Sequence, residues 1–397
     1  MIGGISSAIK DSVKKFHHEA VELSDYLAAN PELSSAEYNS SAKIARLLER
    51  RGFSVEYPFF GLDTAFKADF DNGPGPHIAI MVEYDALPDI GHGCGHNLHG
   101  SLSALAGLAL MELKDLYRGK IHLIGAPAEE TDGAKTAMAE GGVFDGMSLS
   151  MMMHCIGGGV CQPNMDALSL RNFLMEFRGV GAHAVAAPWR GRSALAAARK
   201  FLDLVDARRE CFTPDIRVNG VITDGGRKPS IIPERAEIEI EFRANSMAKL
   251  ARLDETIGKC ARAAAMALDC EVTWRKSFAD FADMLRLGTL EEKMSEILAG
   301  VGLKVSEVSP PVGSSDVGNV SYRCPSIQPL LSITDEPLAL HTAEFARSTT
   351  TPQAHEAMAS GAEALAALAL DVLNDDDFRN AVKDDFSKQV AAKTGGE

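Results

Sequence analysis

The sequence has no long apolar run and few cysteines for its length. No stretch of its 397 residues approaches the roughly 20 consecutive apolar residues that a helix needs to cross a bilayer. The N-terminal segment MIGGISSAIKDSVKKFHHEA lacks the apolar core and cleavage site of a secretory signal peptide. The seven cysteines lie at irregular spacings, which argues against a disulfide framework. We therefore expect a cytoplasmic protein with no membrane partner.

Basic side chains are also in deficit. The chain has 40 Lys and Arg against 55 Asp and Glu, a formal net charge of −15. An acidic surface repels the phosphate backbone, so nucleic acid is not an expected partner. The apolar share of 46% and the charged share of 24% are ordinary for a globular protein. The length exceeds what one hydrophobic core usually serves, so we expect two domains.

Strands and helices alternate over the first part of the chain. Apolar residues at helical spacing from Ile9 to Leu27 predict a first helix, and 40–51 predicts a second. The run at 77–85 is apolar on both faces for much of its length, which is typical of a buried strand. The remaining strands are predicted at 53–58, 63–70, 120–126 and 148–154, with helices at 101–117 and 133–141. This alternation predicts a mainly parallel sheet with flanking helices.

The pattern then changes to half-exposed strands. These are predicted at 167–178, 216–223 and 235–243, with helices at 192–207 and 246–268. Two helices on one face of an antiparallel sheet make a small α+β domain. The predicted fold is therefore α/β with a mixed sheet over 1–167 and 286–397, and an inserted α+β domain over 168–285. A final helix is predicted at 355–374, and the charged tail after 375 is expected to be frayed.

Side chains that bind metals follow the ends of three predicted strands. In open α/β sheets the carboxyl ends of the strands form the ligand crevice. We therefore expect these side chains to lie together: Glu83 and Asp85 after the first strand, His92, Cys94, His96 and His99 in the loop beyond it, Glu129 and Glu130 after the second strand, and His154 after the third.

Two short patterns within this set indicate metal chemistry. Cys94 and His96 alternate around Gly95, so a tight turn can aim a thiolate and an imidazole at one ion. Glu129 and Glu130 are adjacent and point in different directions, so one carboxylate can bind metal while the other acts as a general base. A cysteine–histidine protease is the competing interpretation, but it gives no role to the glutamate pair.

Six motifs in order resemble one known family, the dinuclear metallopeptidases and amidohydrolases that include aminoacylase, hippurate hydrolase and the auxin-conjugate hydrolases. The forms EYDALP and CGHN are most similar to its aminobenzoyl-glutamate-hydrolase-like members. The motifs are EYDALP (83–88), GHGCGHNLHG (91–100), PAEE (127–130), MMHC (152–155), GAHAVAAPWRGRSAL (181–195) and HTAEF (341–345).

The resemblance implies a zinc-peptidase-like catalytic domain that binds two divalent metal ions, together with a lid domain that forms a homodimer. Glu129 would be the general base. His183 of the lid would reach the active site of the partner protomer and stabilise the oxyanion. The implied metal ligands are Cys94, His96, Glu130, His154 and His341.

The resemblance also implies residues around the substrate. Arg243 would grip a substrate carboxylate, and Asn219 would contact the substrate from the lid. The loop GSSDVGN (313–319), with Ser314 and Ser315, resembles a loop on the substrate side. The resemblance places Asp85 and Asn97 behind the metal ligands. Asn97 stands where many relatives have aspartate, so we expect its hydrogen bond to differ from theirs. Glu83 replaces a metal-binding residue of other branches, and whether it contacts metal is open.

The function predicted on this basis is metal-dependent hydrolysis of an amide bond in a small carboxylate-bearing substrate. A metal-bridged water would attack the carbonyl carbon, with Glu129 carrying the proton. Manganese or zinc is expected, and nickel or cobalt is compatible with the ligands. Arg243 could instead form a structural ion pair with Glu237, Glu239 or Glu241. The alternative functions are an aminohydrolase that releases ammonia and, less favoured, a binding protein without catalysis.

Overall fold

A computed structural model describes residues 3–311 and 313–395 of the chain. The chain divides into two compact units. We call Ala167–Asp283 the inserted unit, and the described residues before and after it the larger unit. No helix among the described residues is both long and apolar enough to cross a membrane.

The regular elements are numbered in chain order. The strands are β1 (Ser54–Glu56), β2 (Phe66–Asp71), β3 (His77–Val82), β4 (Lys120–Gly125), β5 (Leu149–Met151), β6 (His154–Ile156), β7 (Ser169–Arg178), β8 (Ala182–His183), β9 (Arg217–Asp224), β10 (Ile231–Ile232), β11 (Arg235–Ala244), β12 (Glu271–Lys276), β13 (Ser326–Ile327) and β14 (Leu330–Ser332). The helices are α1 (Gly3–Ala29), α2 (Tyr38–Arg51), α3 (His96–Glu112), α4 (Ala134–Glu140), α5 (Ala194–Arg208), α6 (Met247–Ala267), α7 (Gly288–Gly300), α8 (Val317–Ser321), α9 (Ala343–Ser348), α10 (Pro352–Asn374) and α11 (Asp376–Gly395).

The larger unit contains a mixed sheet in the order β1-β2-β4-β3-β5-β13. β2 is antiparallel to both of its neighbours, whereas β4, β3, β5 and β13 run parallel. β6 and β14 form a separate parallel pair. The parallel centre explains why Ile78–Val82 is buried on both faces. The predicted fold class, a mixed and mainly parallel α/β sheet with helices, is confirmed.

Helix α3 lies in the centre of the larger unit. It contacts β3 and β4 of the sheet on one side and the helices α1 and α10 on the other. Its residues from His96 to Leu110 are all buried, so the helix is apolar around most of its circumference. A rigid, buried α3 therefore gives its first turn a fixed position beside the carboxyl end of β3.

The inserted unit is an antiparallel sheet in the order β12-β7-β11-β9, with α5 and α6 packed against it. Alternate residues of β11 are buried, as expected when one face of a sheet meets helices. Its own core includes Phe177, Phe201 and Phe242. The function of 168–285 as a lid and dimerisation domain stays a prediction.

Three local predictions were wrong. The helix predicted at 101–117 begins five residues earlier, because α3 starts at His96 and its first turn takes in part of the predicted loop. Strand β12 was not anticipated. The tail after 375 is not frayed: it forms α11, in which Val382 is buried and Phe378 and Phe386 pack on the main core. These three apolar residues recur every four positions, which places them on one face of a helix.

Candidate metal centre

The candidate site lies where three parallel strands end. Glu83 and Asp85 follow β3, Glu129 and Glu130 follow β4, and His154 follows β5. The first turn of α3 adds His96 and His99 at the same place. The structure thus brings together all of the strand-end side chains that the sequence singled out, except His92. His92 is buried, but it belongs to none of the described groups of potential ligands.

Five side chains form overlapping groups of potential metal ligands. The Sγ atom of Cys94 lies 3.2 Å from Nε2 of His154. Ligand atoms of Cys94, His96 and His154 all lie within 4.8 Å of one another, as do those of Cys94, Glu130 and His341. Thiolate, imidazole and carboxylate form a donor set that suits zinc and related divalent ions. The chemistry of these side chains therefore fits a metal centre.

Two of these ligands, His96 and His341, depend on residues with a left-handed backbone conformation. Gly95 precedes α3 with φ of +84°, a conformation that favours glycine, and a Cβ atom there would lie 2.9 Å from Cβ of Cys155. His341 also has a positive φ, +61°. Its exposed ring nevertheless places Nε2 3.5 Å from Oε2 of Glu130. A non-glycine residue held in this conformation indicates that the surrounding structure fixes its direction.

Asp85 connects two of the candidate ligands. Nδ1 of His96 donates to Oδ1 of Asp85 over 2.9 Å. The other oxygen of Asp85 accepts from the backbone N–H of Glu130 and from the hydroxyl of Ser34. Burial alone would raise the pKa of Asp85, but these partners hold it well below its usual range. A permanently charged Asp85 orients the His96 ring so that Nε2 faces the site.

Glu129 and Glu130 point to different neighbours, as adjacent residues are expected to do. Glu130 faces His341, whereas Oε2 of Glu129 lies 3.9 Å from Nε2 of His96 and belongs to an acidic group with Glu83 and Asp316. Burial, followed by the charges of Glu83 and Asp316, raises the pKa of Glu129 well above its usual range. A carboxylate with a raised pKa is a suitable proton carrier near neutral pH.

Glu37 supports the turn that carries this pair. The turn residue Ala128 has φ of +58°, and its backbone N–H donates to Oε1 of Glu37 over 2.8 Å. The other oxygen of Glu37 accepts from the hydroxyl of Thr64. Glu37 could not be identified from the sequence, because it lies on the surface-like segment before α2 and only its burial shows its role.

The cysteine–histidine pair does not resemble a nucleophilic dyad. Burial raises the pKa of the Cys94 thiol well above its ordinary value. Burial also lowers the pKa of His154 to about 4. Both groups are therefore neutral without a metal, whereas a nucleophilic cysteine needs a stabilised thiolate. Metal coordination deprotonates a thiol directly, which makes Cys94 a better ligand than nucleophile.

A buried ion-pair network lies beside Glu129, and most of it was not expected from the sequence. Nζ of Lys135 lies 2.7 Å from Oε1 of Glu83 and 2.5 Å from Oδ1 of Asp316. The side chains of all three residues are at most 1% exposed. Lysine is almost never buried without partners. The motif GSSDVGN contained Asp316, but nothing in its spacing indicated a lysine 181 positions away.

Three other predicted residues, Asn97, Ser314 and Ser315, lie in the larger unit. The side-chain nitrogen of Asn97 donates to the hydroxyls of Ser24 and Thr349, and so ties α3 to the segments around it. The hydroxyl of Ser315 accepts from the backbone N–H of Val317. Ser314 is half-buried. Both serines directly precede the ion-paired Asp316 in the sequence.

The remaining predicted residues lie in the inserted unit. His183 is exposed, and its Nδ1 accepts from the backbone N–H groups of Val185 and Ala186. A neutral ring therefore carries its proton on Nε2, where it can be donated. Nε of Arg243 donates to Oε1 of Glu241 over 2.7 Å, one of the ion pairs that the sequence allowed. Asn219 is exposed on β9 and pairs in register with Glu241.

Comparison with known proteins identifies the family. The family model described as "Peptidase family M20/M25/M40" matches residues 79–371 of this chain. An Xaa-Arg dipeptidase of Mus musculus is 32% identical over 391 residues, which is 94% of this chain and 88% of the relative. A p-aminobenzoyl-glutamate hydrolase polypeptide of Escherichia coli (strain K12) is 29% identical over 316 residues, 74% of this chain and 65% of that protein.

A solved structure agrees with the fold. The crystal structure of a Bacillus subtilis protein described as a dinuclear metal binding peptidase from the M20 family superposes with a TM-score of 0.69 at 22% identity, and the match covers 91% of this chain and 99% of that one. The chain therefore belongs to peptidase family M20/M25/M40 and is a metal-dependent hydrolase of carbon–nitrogen bonds.

Proposed function

We propose that the chain hydrolyses the amide bond of a small carboxylate-bearing substrate, with Glu129 as general base and two divalent ions held by Cys94, His96, Glu130, His154 and His341. Dipeptides, N-acyl amino acids and aryl amides of amino acids are the proposed substrates. The similarity to an Xaa-Arg dipeptidase makes dipeptides with C-terminal arginine the first to test.

Unpartnered buried atoms carry the proposal. Nε2 of His96 and Oε1 of Glu130 have no hydrogen-bond partner among the described residues, although buried polar atoms almost always have one. Both atoms belong to the ligand groups described above. Divalent ions would satisfy them. Manganese and zinc are the proposed ions, and nickel and cobalt remain compatible with the same donors.

The chemistry divides between the ions and the protein. Bound divalent ions lower the pKa of water and polarise a carbonyl group. Glu129 takes the proton of the attacking water and returns it to the leaving nitrogen, which needs one carboxyl group within reach of both. Glu37 and the turn at Ala128 hold Glu129 in place. Asp85 keeps His96 and Glu130 in their orientations.

Product identification tests this proposal. Enzyme loaded with Mn²⁺ or Zn²⁺ is incubated with Xaa-Arg and other dipeptides, N-acyl amino acids and aryl-glutamates, and products are identified by mass spectrometry. We expect a carboxylic acid and an amine from at least one class, and no reaction in chelated enzyme until metal is restored. Metal-dependent release of ammonia would indicate an aminohydrolase instead. An enzyme that binds no divalent ion would contradict the proposal.

We propose further that Arg243 binds the substrate carboxylate. The guanidinium is only partly exposed and donates to Glu241, which orients a planar group whose fork of N–H donors matches the geometry of a carboxylate. Arg243→Gln is expected to raise KM with little change in kcat, because it removes binding that ground state and transition state share. A charge-assisted hydrogen bond of ~1.5–3 kcal/mol corresponds to a loss of about 10- to 100-fold in kcat/KM.

Arg235 provides the control for this variant. It lies at the other end of β11 and pairs with Glu176, Asp224 and Glu237. Arg235→Gln removes an arginine from the same strand and should leave KM unchanged. An equal rise in KM in both variants would indicate a general effect on the sheet rather than a carboxylate site.

The proposed assembly is a homodimer formed through the inserted unit. Val185 and Trp189 follow His183 and are 82% and 73% exposed, which is unusual for large apolar side chains and typical of an interface. A second copy would cover them. We also propose a cytoplasmic location, which is supported by the seven cysteines being free.

A further inference from the structure

The candidate centre contains a further buried group of potential ligands, of which only one member belongs to the proposed five. Glu83, His96 and His99 place one oxygen and two nitrogens within 4.8 Å of one another. All three side chains are at most 1% exposed. Of the three, only His96 has been assigned as a ligand above. We call Glu83, His96 and His99 the inner group.

Local structure explains why these atoms converge. His96 and His99 are three residues apart in the first turn of α3, so their rings lie on the same face of the helix. A Cβ atom at Gly100 would lie 2.0 Å from the backbone oxygen of Glu83. Glycine at this position therefore allows α3 to approach the end of β3 closely. Oε2 of Glu83 lies 3.6 Å from Nε2 of each histidine.

The hydrogen bonds of the two rings direct their Nε2 atoms into the same space. Nδ1 of His96 donates to Asp85, and Nδ1 of His99 donates to the backbone oxygen of Met153 over 2.8 Å. The remaining ring nitrogen of each histidine, Nε2, then lies on the side of Glu83. Both Nε2 atoms and Oε2 of Glu83 lack a hydrogen-bond partner among the described residues. Two imidazole nitrogens and a carboxylate oxygen thus face one another in a buried space without hydrogen-bond partners, an arrangement that a cation between them would satisfy.

Lys135 fixes the carboxylate of Glu83 in this arrangement. Its ammonium lies 2.7 Å from Oε1, so only Oε2 remains for the histidines. The charge of Lys135 is in turn balanced by Asp316 at 2.5 Å. A ligating histidine usually donates its other N–H to a carboxylate or a backbone carbonyl. His96 and His99 each have such a partner, and Glu83 has Lys135.

We propose that His99 and Glu83 are ligands of the inner of the two divalent ions, together with His96, and that Lys135 is a positioning residue for Glu83. The proposal rests on the divalent-ion site proposed above. It adds to that site a histidine from α3 and the glutamate that follows β3.

Two substitutions of His99 separate ligation from a structural role. His99→Asn keeps an amide near the position of Nδ1, which can donate to Met153, but it has no atom at Nε2. His99→Gln has a carbonyl oxygen near the position of Nε2, but it loses the donor to Met153. If His99 binds metal, the Gln variant should bind more tightly than the Asn variant. If His99 only anchors α3 to Met153, the order should be reversed.

The measurements are metal stoichiometry by mass spectrometry and affinity by competition with a chromophoric chelator for Zn²⁺. We expect His99→Asn to lower the affinity for one of the two ions by at least about 100-fold. This exceeds the ~10–100-fold loss that is typical when a residue behind a ligand is replaced. His122→Asn is the control. His122 is a buried histidine of β4 whose nitrogens contact Asp69 and His77, and its loss should leave both affinities unchanged.

The Co²⁺-loaded wild-type protein gives a test that needs no variant to be stable. A ring N–H of a histidine bound to Co²⁺ gives a strongly shifted, slowly exchanging proton signal, and the His99 N–H should be among them. The inference would be overturned if the protein bound two ions, the His99→Asn variant bound them as tightly as or more tightly than His99→Gln, and His99 gave no shifted signal. The proposed function would then remain intact. Wild-type protein that binds no divalent ion would contradict both.

Discussion

Replacing Glu129 with glutamine is expected to lower kcat by about 10²–10⁴-fold, the usual contribution of a general base. Glutamine preserves the shape and the burial of the side chain but cannot accept a proton. The neighbours of Glu129 are His96, Glu83 and Asp316, and none of them is expected to replace it, because His96 and Glu83 are proposed ligands and Asp316 is held by Lys135. The measurement is kcat on the best substrate, with metal content determined in parallel.

Glu130→Gln is the matched comparison. Glu130 belongs to the group formed with Cys94 and His341, so its replacement should reduce metal content as well as activity. Glu129→Gln should retain both ions and lose only the chemical step. If Glu129→Gln retained near-normal kcat, or lost metal as readily as Glu130→Gln, Glu129 would not be the proton carrier.

Much of this site could be predicted from the sequence because one rule positions it. Parallel strands end on the same side of a sheet, so the polar residues after β3, β4 and β5 were expected to meet, and they do. Asp85 was assigned to support the ligands, and it bonds to His96 and to Glu130. Only the family resemblance indicated His341, because a surface-exposed histidine has no local pattern.

The start of α3 could not be predicted from hydrophobic periodicity. The apolar pattern becomes continuous only after Ser101, and glycine at position 95 resembles a loop residue. In the structure, the left-handed Gly95 caps the helix and lies directly before its first residue, His96. This error concealed the shared face of His96 and His99, and hence the inner group.

The partners of Lys135 depend on long-range contacts that no local pattern records. Lys135 lies on a short helix with apolar neighbours, where a lysine is normally solvated. Its carboxylates come from positions 83 and 316, on separate elements of the larger unit. Removing one member of a buried ion pair leaves an uncompensated charge, so these three residues depend on one another even though they are far apart in sequence.

His183→Ala is expected to lower kcat by about 10²–10³-fold, the effect of removing one donor to a developing oxyanion. Nδ1 of His183 accepts two backbone N–H groups, so Nε2–H is the donor that would face the substrate. Metal content should not change, because His183 belongs to none of the described groups of potential metal ligands. A variant with full kcat would exclude His183 from the reaction.

A mixed dimer tests whether His183 acts across the proposed interface. Chains carrying Glu129→Gln and chains carrying His183→Ala are co-expressed with different tags, and dimers containing one of each are purified through both tags. If each site uses its own Glu129 and the partner's His183, one of the two sites is complete, and about half of the wild-type kcat per dimer is expected. If His183 serves its own chain, neither site is complete and activity stays at the level of the single variants.

The reverse pairing is the control, because it exchanges the two expected results. A wild-type chain is paired with a chain that carries both substitutions. With His183 acting across the interface, the wild-type chain has Glu129 but lacks the partner's His183, and the doubly substituted chain lacks the base, so the dimer is inactive. With His183 acting within one chain, the wild-type protomer retains a complete site and about half of the activity. Recovery in the first pairing and loss in the second would thus require both the dimer and the exchange of His183.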